Sequence, residues 1–102
     1  MHYEYFENGT YLEVDATGDV YDIPGNCTAL RIHCETASAY FKLGSDTLTI
    51  ADCLKPTSNE DPCSPFVPIG YCDVKLCGAT KIAIISTSTV SKIRLIPYEI
   101  RG

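Results

Sequence analysis

The chain has 102 residues, 45% of them hydrophobic and 21% charged, a composition typical of one folded domain rather than a disordered segment. Its formal net charge is −5, and its few basic residues are scattered, so no nucleic-acid partner is expected. No apolar run approaches the roughly 18 residues of a membrane-spanning helix, so none is expected.

The first segment of the chain is rich in aromatic residues. Asn8-Gly9 separates Tyr3–Phe6 from Tyr11–Val14, and Asn-Gly between two apolar runs is a strong signal for a β-hairpin. Residues 1–14 are therefore predicted to form an aromatic hairpin or arm. Exposed aromatic segments usually mark interfaces. Four residues are candidate contacts to a neighbouring subunit or lattice: Tyr3, Tyr5, Phe6 and Tyr11.

Several later segments alternate apolar and polar residues, which indicates strands with one buried face. They are Leu30–Cys34, Ala39–Leu43, Cys72–Leu76 and Lys92–Leu95. Ile82–Ile85 is apolar at every position, which predicts a central strand. With turn residues between these runs, the sequence predicts an all-β chain of about eight short strands, folded as one small antiparallel β-sandwich or barrel over residues 1–102.

One stretch breaks this rhythm. Leu48 and Ile50 are compatible with one short strand, and residues 52–65 read as a long polar loop. Loops of this length in compact domains are usually functional or disordered. Five residues in or beside it are candidate contacts: Asp52, Lys55, Glu60, Asp61 and Phe66.

The six cysteines allow three disulfides, and Cys53 and Cys63, which flank the loop tip, form the best candidate pair. The N-terminus has no charged segment followed by an apolar run, so no signal peptide is expected, which favours reduced thiols packed in the core. A disulfide-bonded secreted domain released from a precursor remains open.

No residue pattern predicts catalysis, a metal site or a cofactor, so the chain is not expected to be an enzyme. His33 and Cys34 are neighbours in a strand and point to opposite faces, which prevents them from pairing as base and nucleophile. The cysteine spacing lacks the close pairs of zinc sites. The turn Asp15–Asp19 offers too few ligands for calcium.

The order of the motifs resembles that of a known class of proteins. Ala39–Gly44 is followed by a polar loop, then Pro65–Gly70, then Gly78–Ser86, then the basic strand Lys92–Ile96. This order, over roughly residues 20–102, resembles small tailed-bacteriophage virion structural proteins with a jelly-roll-like β-sandwich.

The resemblance implies a structural role in a virion assembled in the host cytoplasm, such as a capsid decoration protein or a head–tail accessory. The partners would be further copies of the chain, in a closed ring such as a trimer, and the major capsid protein or another virion protein. The alternative is a receptor- or carbohydrate-binding module of a phage tail. Its host-surface glycan would bind at the long loop near Tyr40 and Phe66.

Overall fold

A computed structural model describes residues 2–5, 10–23, 27–54, 64–87 and 90–101, with side chains between residues 13 and 98 of these ranges. No helix in these ranges is long and apolar enough to cross a membrane. A short 3-10 helix spans Ile50–Asp52. The strands are β1 (His2–Tyr5), β2 (Thr10–Asp15), β3 (Asp19–Asp22), β4 (Ala29–Cys34), β5 (Ala39–Gly44), β6 (Phe66–Val67), β7 (Gly70–Lys75), β8 (Lys81–Ser86) and β9 (Val90–Arg101).

The strands pair as one long antiparallel hairpin. β5 pairs with β6, β4 with β7, β3 with β8 and β2 with β9, so each pair encloses the one before it. The innermost pair of this hairpin is β5 and β6. This nesting brings together segments that lie far apart in the sequence.

Two further antiparallel pairs, β4 with β9 and β5 with β8, roll the hairpin into two sheets. One sheet has the order β2-β9-β4-β7, with β1 added beside β9, and the other has the order β3-β8-β5-β6. A rolled eight-stranded hairpin of this kind is a jelly roll. The prediction of an all-β, jelly-roll-like antiparallel sandwich is confirmed.

The N-terminal segment does not form the predicted hairpin. Tyr5 pairs with Tyr98 and Thr10 pairs with Leu95, so β1 and β2 run in the same direction along β9. Both lie on the side of β9 opposite β4, because Leu95 and Tyr98 also pair with β4. The two strands therefore lie end to end, and Asn8-Gly9, outside the described residues, does not join paired neighbours.

Pro97 explains why this edge is interrupted. The amide of Glu35 donates to the carbonyl oxygen of Lys92 at 2.8 Å, which makes this register position a hydrogen-bonded pair between β4 and β9. Hydrogen-bonded positions alternate along an antiparallel ladder, so the even-numbered residues of β9 bond to β4. The backbone N–H and C=O groups of its odd-numbered residues therefore point toward β1 and β2. Pro97 has no N–H to offer there, and it lies between the registers of β2 and β1.

The inner faces of the two sheets form the main core. Ile32, Ile82 and Ile93 are fully buried in it. The alternating residues of β4, β5, β7 and β9 point inward as the sequence pattern predicts.

A second apolar cluster covers the outer face of the four-stranded sheet. Ala83 and Ile85 pack there with Cys53, and Leu48 and Ile50 pack against them. The segment before the loop tip therefore folds back over β8. This explains why Ile82–Ile85 is apolar at every position, and β8 is a central strand between β3 and β5, as predicted.

The structure differs from the predicted set of strands at three places. Leu48 and Ile50 belong to no strand; a 3-10 helix follows Thr49, whose amide donates to the Asp52 carboxylate at 2.9 Å. A local capping contact outweighs the weak alternation here. The short edge strands β3 and β6 were not predicted, because too few residues alternate in them to give a signal.

Replacing Gly18 with alanine tests how tightly the turn between β2 and β3 packs. Its φ is +73°, and an added Cβ would lie 2.5 Å from the Ile84 carbonyl oxygen. Gly78 is the matched control, with φ +86° and no atom within 4 Å of an added Cβ. We expect Gly78→Ala to lower the free energy of unfolding in urea by about 1 kcal/mol. Gly18→Ala should cost roughly 2 kcal/mol more, because it adds a backbone clash. Equal losses would contradict the close packing.

Candidate functional site

The outer face of the five-stranded sheet carries a band of charged and aromatic side chains. It is formed by the residues of β4, β7 and β9 that alternate with the core positions. We call this band the outer face: Arg31, His33, Tyr71, Asp73, Lys75, Lys92 and Arg94.

Arg31 is the centre of the outer face. Its Nε donates to Asp73 Oδ1 at 2.9 Å and its Nη2 donates to Asp73 Oδ2 at 3.0 Å, a bidentate pair between residues in direct register. The Arg31 guanidinium also lies over the Tyr71 ring, with Cζ 4.4 Å from the centroid. Two neighbouring strands are thus linked through one side chain.

The electrostatics of Asp73 follow from these contacts. The hydrogen bonds from Arg31 hold the pKa of the Asp73 carboxyl below its usual value, and the hydroxyl of the buried Tyr98 adds a further hydrogen bond. The pair remains about a third exposed, so its contribution to stability is modest. Its main effect is to hold Arg31 in one orientation.

The outer face holds its aromatic and basic side chains in fixed positions. Tyr71 remains 62% exposed although Arg31 holds it in place. A second ion pair joins Arg94 Nε to Glu35 Oε1 at 2.8 Å. Held tyrosine and arginine side chains are the types most often found at the centres of protein interfaces.

The described part of the loop is closed at its base. The Ser64 amide donates to the Leu54 carbonyl oxygen at 2.9 Å, and the Leu54 amide donates to Ser64 Oγ at 2.8 Å. Asp52 is exposed, and its carboxylate accepts a hydrogen bond from the Thr49 amide at 2.9 Å. Lys55, Glu60 and Asp61 lie outside the described residues.

Phe66 and Tyr40 lie side by side on the outer surface of the four-stranded sheet. Their ring centroids are 5.2 Å apart at an interplanar angle of 59°. Phe66 is 49% exposed and Leu54, near the loop base, is 44% exposed. The structure therefore brings together the two aromatic residues that the carbohydrate-binding alternative requires.

The N-terminal candidates lie along the chain's own sheet. Tyr3 stands in register with Ile100, Tyr5 with Tyr98 and Tyr11 with Arg94. Phe6 lies outside the described residues. The backbone of this segment is thus paired with β9 of the same chain, which differs from an arm that leaves its own domain.

Two of the described cysteines, Cys34 and Cys53, are buried. Cys34, Cys53, Cys72 and Cys77 carry free thiols, so the candidate disulfide is not formed at Cys53, and Cys63 lies outside the described residues. Burial raises the pKa of the Cys34 thiol to about 11 and also raises that of Cys53. Such thiols are seldom ionised near neutral pH and behave as small apolar groups.

Within the described residues, no group of three or more His, Cys, Asp or Glu side chains is placed to hold a metal ion. The acidic turn after β2 has a structural explanation. Asp15 Oδ1 accepts hydrogen bonds from Thr17 Oγ1 at 2.6 Å and from the amides of Thr17 and Gly18 at 3.0 Å. These bonds lower the pKa of Asp15 and fix the turn.

Comparison with protein-family models, with curated proteins and with solved structures finds no match to this chain. The likeness to phage virion proteins therefore rests on the sequence motifs alone.

Sequence reasoning missed Arg31, Tyr71 and Asp73. Their alternation with Leu30, Cys72 and Val74 marks them as outward-facing, so a signal for their exposure was present. Their contact was not predictable without the pairing of β4 with β7.

Replacing Asp73 with Asn tests the Arg31 pair. Because the folded-state pKa of Asp73 lies below its unfolded value, the pair stabilises the fold above the ordinary aspartate pKa of 3.8 and loses this effect as pH falls further. We expect Asp73→Asn to cost roughly 0.5–1 kcal/mol at pH 7 and almost nothing near pH 2 in thermal unfolding. Asp46→Asn, at an exposed residue in the turn after β5, is the control. A loss independent of pH would argue against the ion pair.

Proposed function

We propose that this chain is a non-enzymatic structural protein of a tailed-bacteriophage virion, of the capsid decoration type, which oligomerises and binds the capsid lattice. The observation that carries the proposal is the uneven distribution of exposed apolar side chains. Of the five large apolar side chains that are exposed among the described residues, Phe66, Ile69 and Tyr71 lie on or between the edge strands β6 and β7, and Leu54 is bonded to Ser64 just before β6. We call these two neighbouring sheet edges the β6–β7 side; Phe66 lies on the outer surface of one sheet and Tyr71 on that of the other.

Exposed apolar side chains at sheet edges favour assembly. Isolated apolar residues are common on protein surfaces, whereas a concentration of them marks an interface. A jelly roll also leaves edge strands open, and symmetric association is the usual way to cover them. The sequence resemblance supplies the particle, a virion, and the second partner, the major capsid or another virion protein. The role requires no cofactor, nucleic acid or membrane.

The solution mass tests this proposal. Light scattering of the purified chain over a hundredfold range of concentration should show a closed homo-oligomer. The same mass with and without reductant would establish that the association is non-covalent. A monomer at every concentration would contradict the proposal.

A second candidate function is supported by the Tyr40–Phe66 pair, in which Phe66 is exposed and Tyr40 is partly buried, since aromatic rings at a surface can stack on sugars. In this case the chain would be a receptor- or carbohydrate-binding module of a phage tail. We expect binding to host-surface glycans on an array to be lost in Tyr40→Ala and retained in Lys42→Ala, an exposed residue of the same strand. Binding that survives Tyr40→Ala would rule out this site.

A further inference from the structure

β7 stands at the end of the five-stranded sheet, and its hydrogen-bonding pattern can be deduced. Ala29 and Lys75 are in register, and the Leu76 amide donates to the Thr28 carbonyl oxygen at 3.0 Å. In an antiparallel ladder this makes Ala29 and Lys75 a non-hydrogen-bonded pair. The bonds between β4 and β7 therefore involve the even-numbered residues of both strands.

The other side of β4 agrees with this pattern. The bond from the Glu35 amide to Lys92 shows that odd-numbered residues of β4 bond to β9, which leaves the even-numbered ones for β7. The backbone N–H and C=O groups of Tyr71, Asp73 and Lys75 must then point away from β4. Within the described part of the chain, no strand pairs with β7 on that side.

The side chains along this edge are compatible with a further strand that pairs with β7. Ile69 is 64% exposed and Tyr71 is 62% exposed. Cys72 is partly buried against the core, and its thiol makes a weak 3.9 Å contact with the Asp73 carbonyl oxygen. A row of open backbone groups beside two exposed apolar side chains is a template for strand addition.

We propose that a second copy of this chain pairs its β7 with this edge, antiparallel about a two-fold axis, so that the two five-stranded sheets become one continuous sheet. The inference rests on the proposed function, because it names the contact through which the homo-oligomer forms.

The charges on β7 select the register of this contact. Residues whose backbone groups are open must face one another, so the two-fold axis passes through a residue of β7 and not between two residues. An axis at Tyr71 pairs only Gly70–Cys72 of the strand, which leaves Cys72, Asp73 and Val74. An axis at Asp73 places that carboxylate opposite its own copy, which is unfavourable. An axis at Val74 overlaps little more than Asp73–Lys75, because the turn at Cys77 follows.

An axis at Cys72 gives the longest overlap without like charges in opposition. Tyr71 then faces Asp73 of the second copy, and Ile69 faces Lys75 of the second copy. Charged residues normally guard a sheet edge against association. Here Arg31 already neutralises Asp73, and the stem of Lys75 can cover the apolar Ile69.

This register makes Cys72 a reporter of the contact. The two copies of Cys72 would form a non-hydrogen-bonded pair with Cα atoms about 4.5 Å apart, within disulfide range. Oxidised glutathione can then trap the dimer. One Cys72 thiolate attacks the glutathione disulfide and releases one glutathione thiolate. The second Cys72 thiolate attacks the protein sulfur of this mixed disulfide and releases the other, so two thiols are oxidised and one disulfide is reduced.

The test combines analytical ultracentrifugation of the full chain with this trapping. The wild type should sediment as a dimer or a larger even-numbered assembly. Tyr71→Glu and Ile69→Lys should each raise the dimer dissociation constant at least tenfold, because each places a like charge opposite Asp73 or Lys75 of the second copy. Val90→Lys, at an exposed apolar residue of β9, is the matched control and should leave the constant unchanged. Because Tyr71 contacts Arg31, Ile69→Lys gives the independent result if Tyr71→Glu unfolds.

Oxidised glutathione should produce a cross-linked dimer in the wild type and in Cys77→Ser, but not in Cys72→Ser. A trimer, or an oligomer whose constant the β7 variants do not change, would overturn the two-fold contact and leave the proposed function standing. A monomer at all concentrations would overturn both.

Discussion

The backbone pairing of β9 is the constraint on which the rest of the structure depends. This strand pairs with β1 and β2 on one side and with β4 on the other. It thereby joins the N-terminus to the middle of the chain and closes the rolled hairpin. Because antiparallel hydrogen bonds alternate in direction, β9 also fixes which residues of β4 remain for β7, and hence which backbone groups of β7 remain open.

The same pairing sets the two faces of the five-stranded sheet. Once Ile93 and Leu95 point into the core, Arg94 must point outward, and register then places His33 beside it. The outer face is therefore a direct consequence of core packing. Its ion pairs are individually weak, but they hold arginine and tyrosine side chains in fixed positions, which lowers the entropy that a partner's binding must overcome.

Much of this fold was predictable from period-two alternation, because β4, β5, β7, β8 and β9 each bury one or both faces. The N-terminal hairpin was predicted wrongly, because Asn8-Gly9 is a local signal, whereas the partner of both flanking strands is distant in sequence. The contact between Arg31 and Asp73 was not predictable for the same reason. Alternation indicates the direction of a side chain, but only the register between strands determines its neighbour.

An open strand edge in a jelly roll has two opposite physical consequences. Unpaired backbone groups favour association with any extended segment, and charged residues such as Asp73 and Lys75 oppose it. The charges then disfavour some partner strands more than others, because Arg31 already neutralises Asp73 within the chain and leaves Lys75 as the unpaired charge of the edge. An edge of this kind rejects most strands but accepts one whose charges are offset from its own. The sequence of β7 meets this condition when it faces itself, which is why a second copy is a better occupant than an unrelated strand.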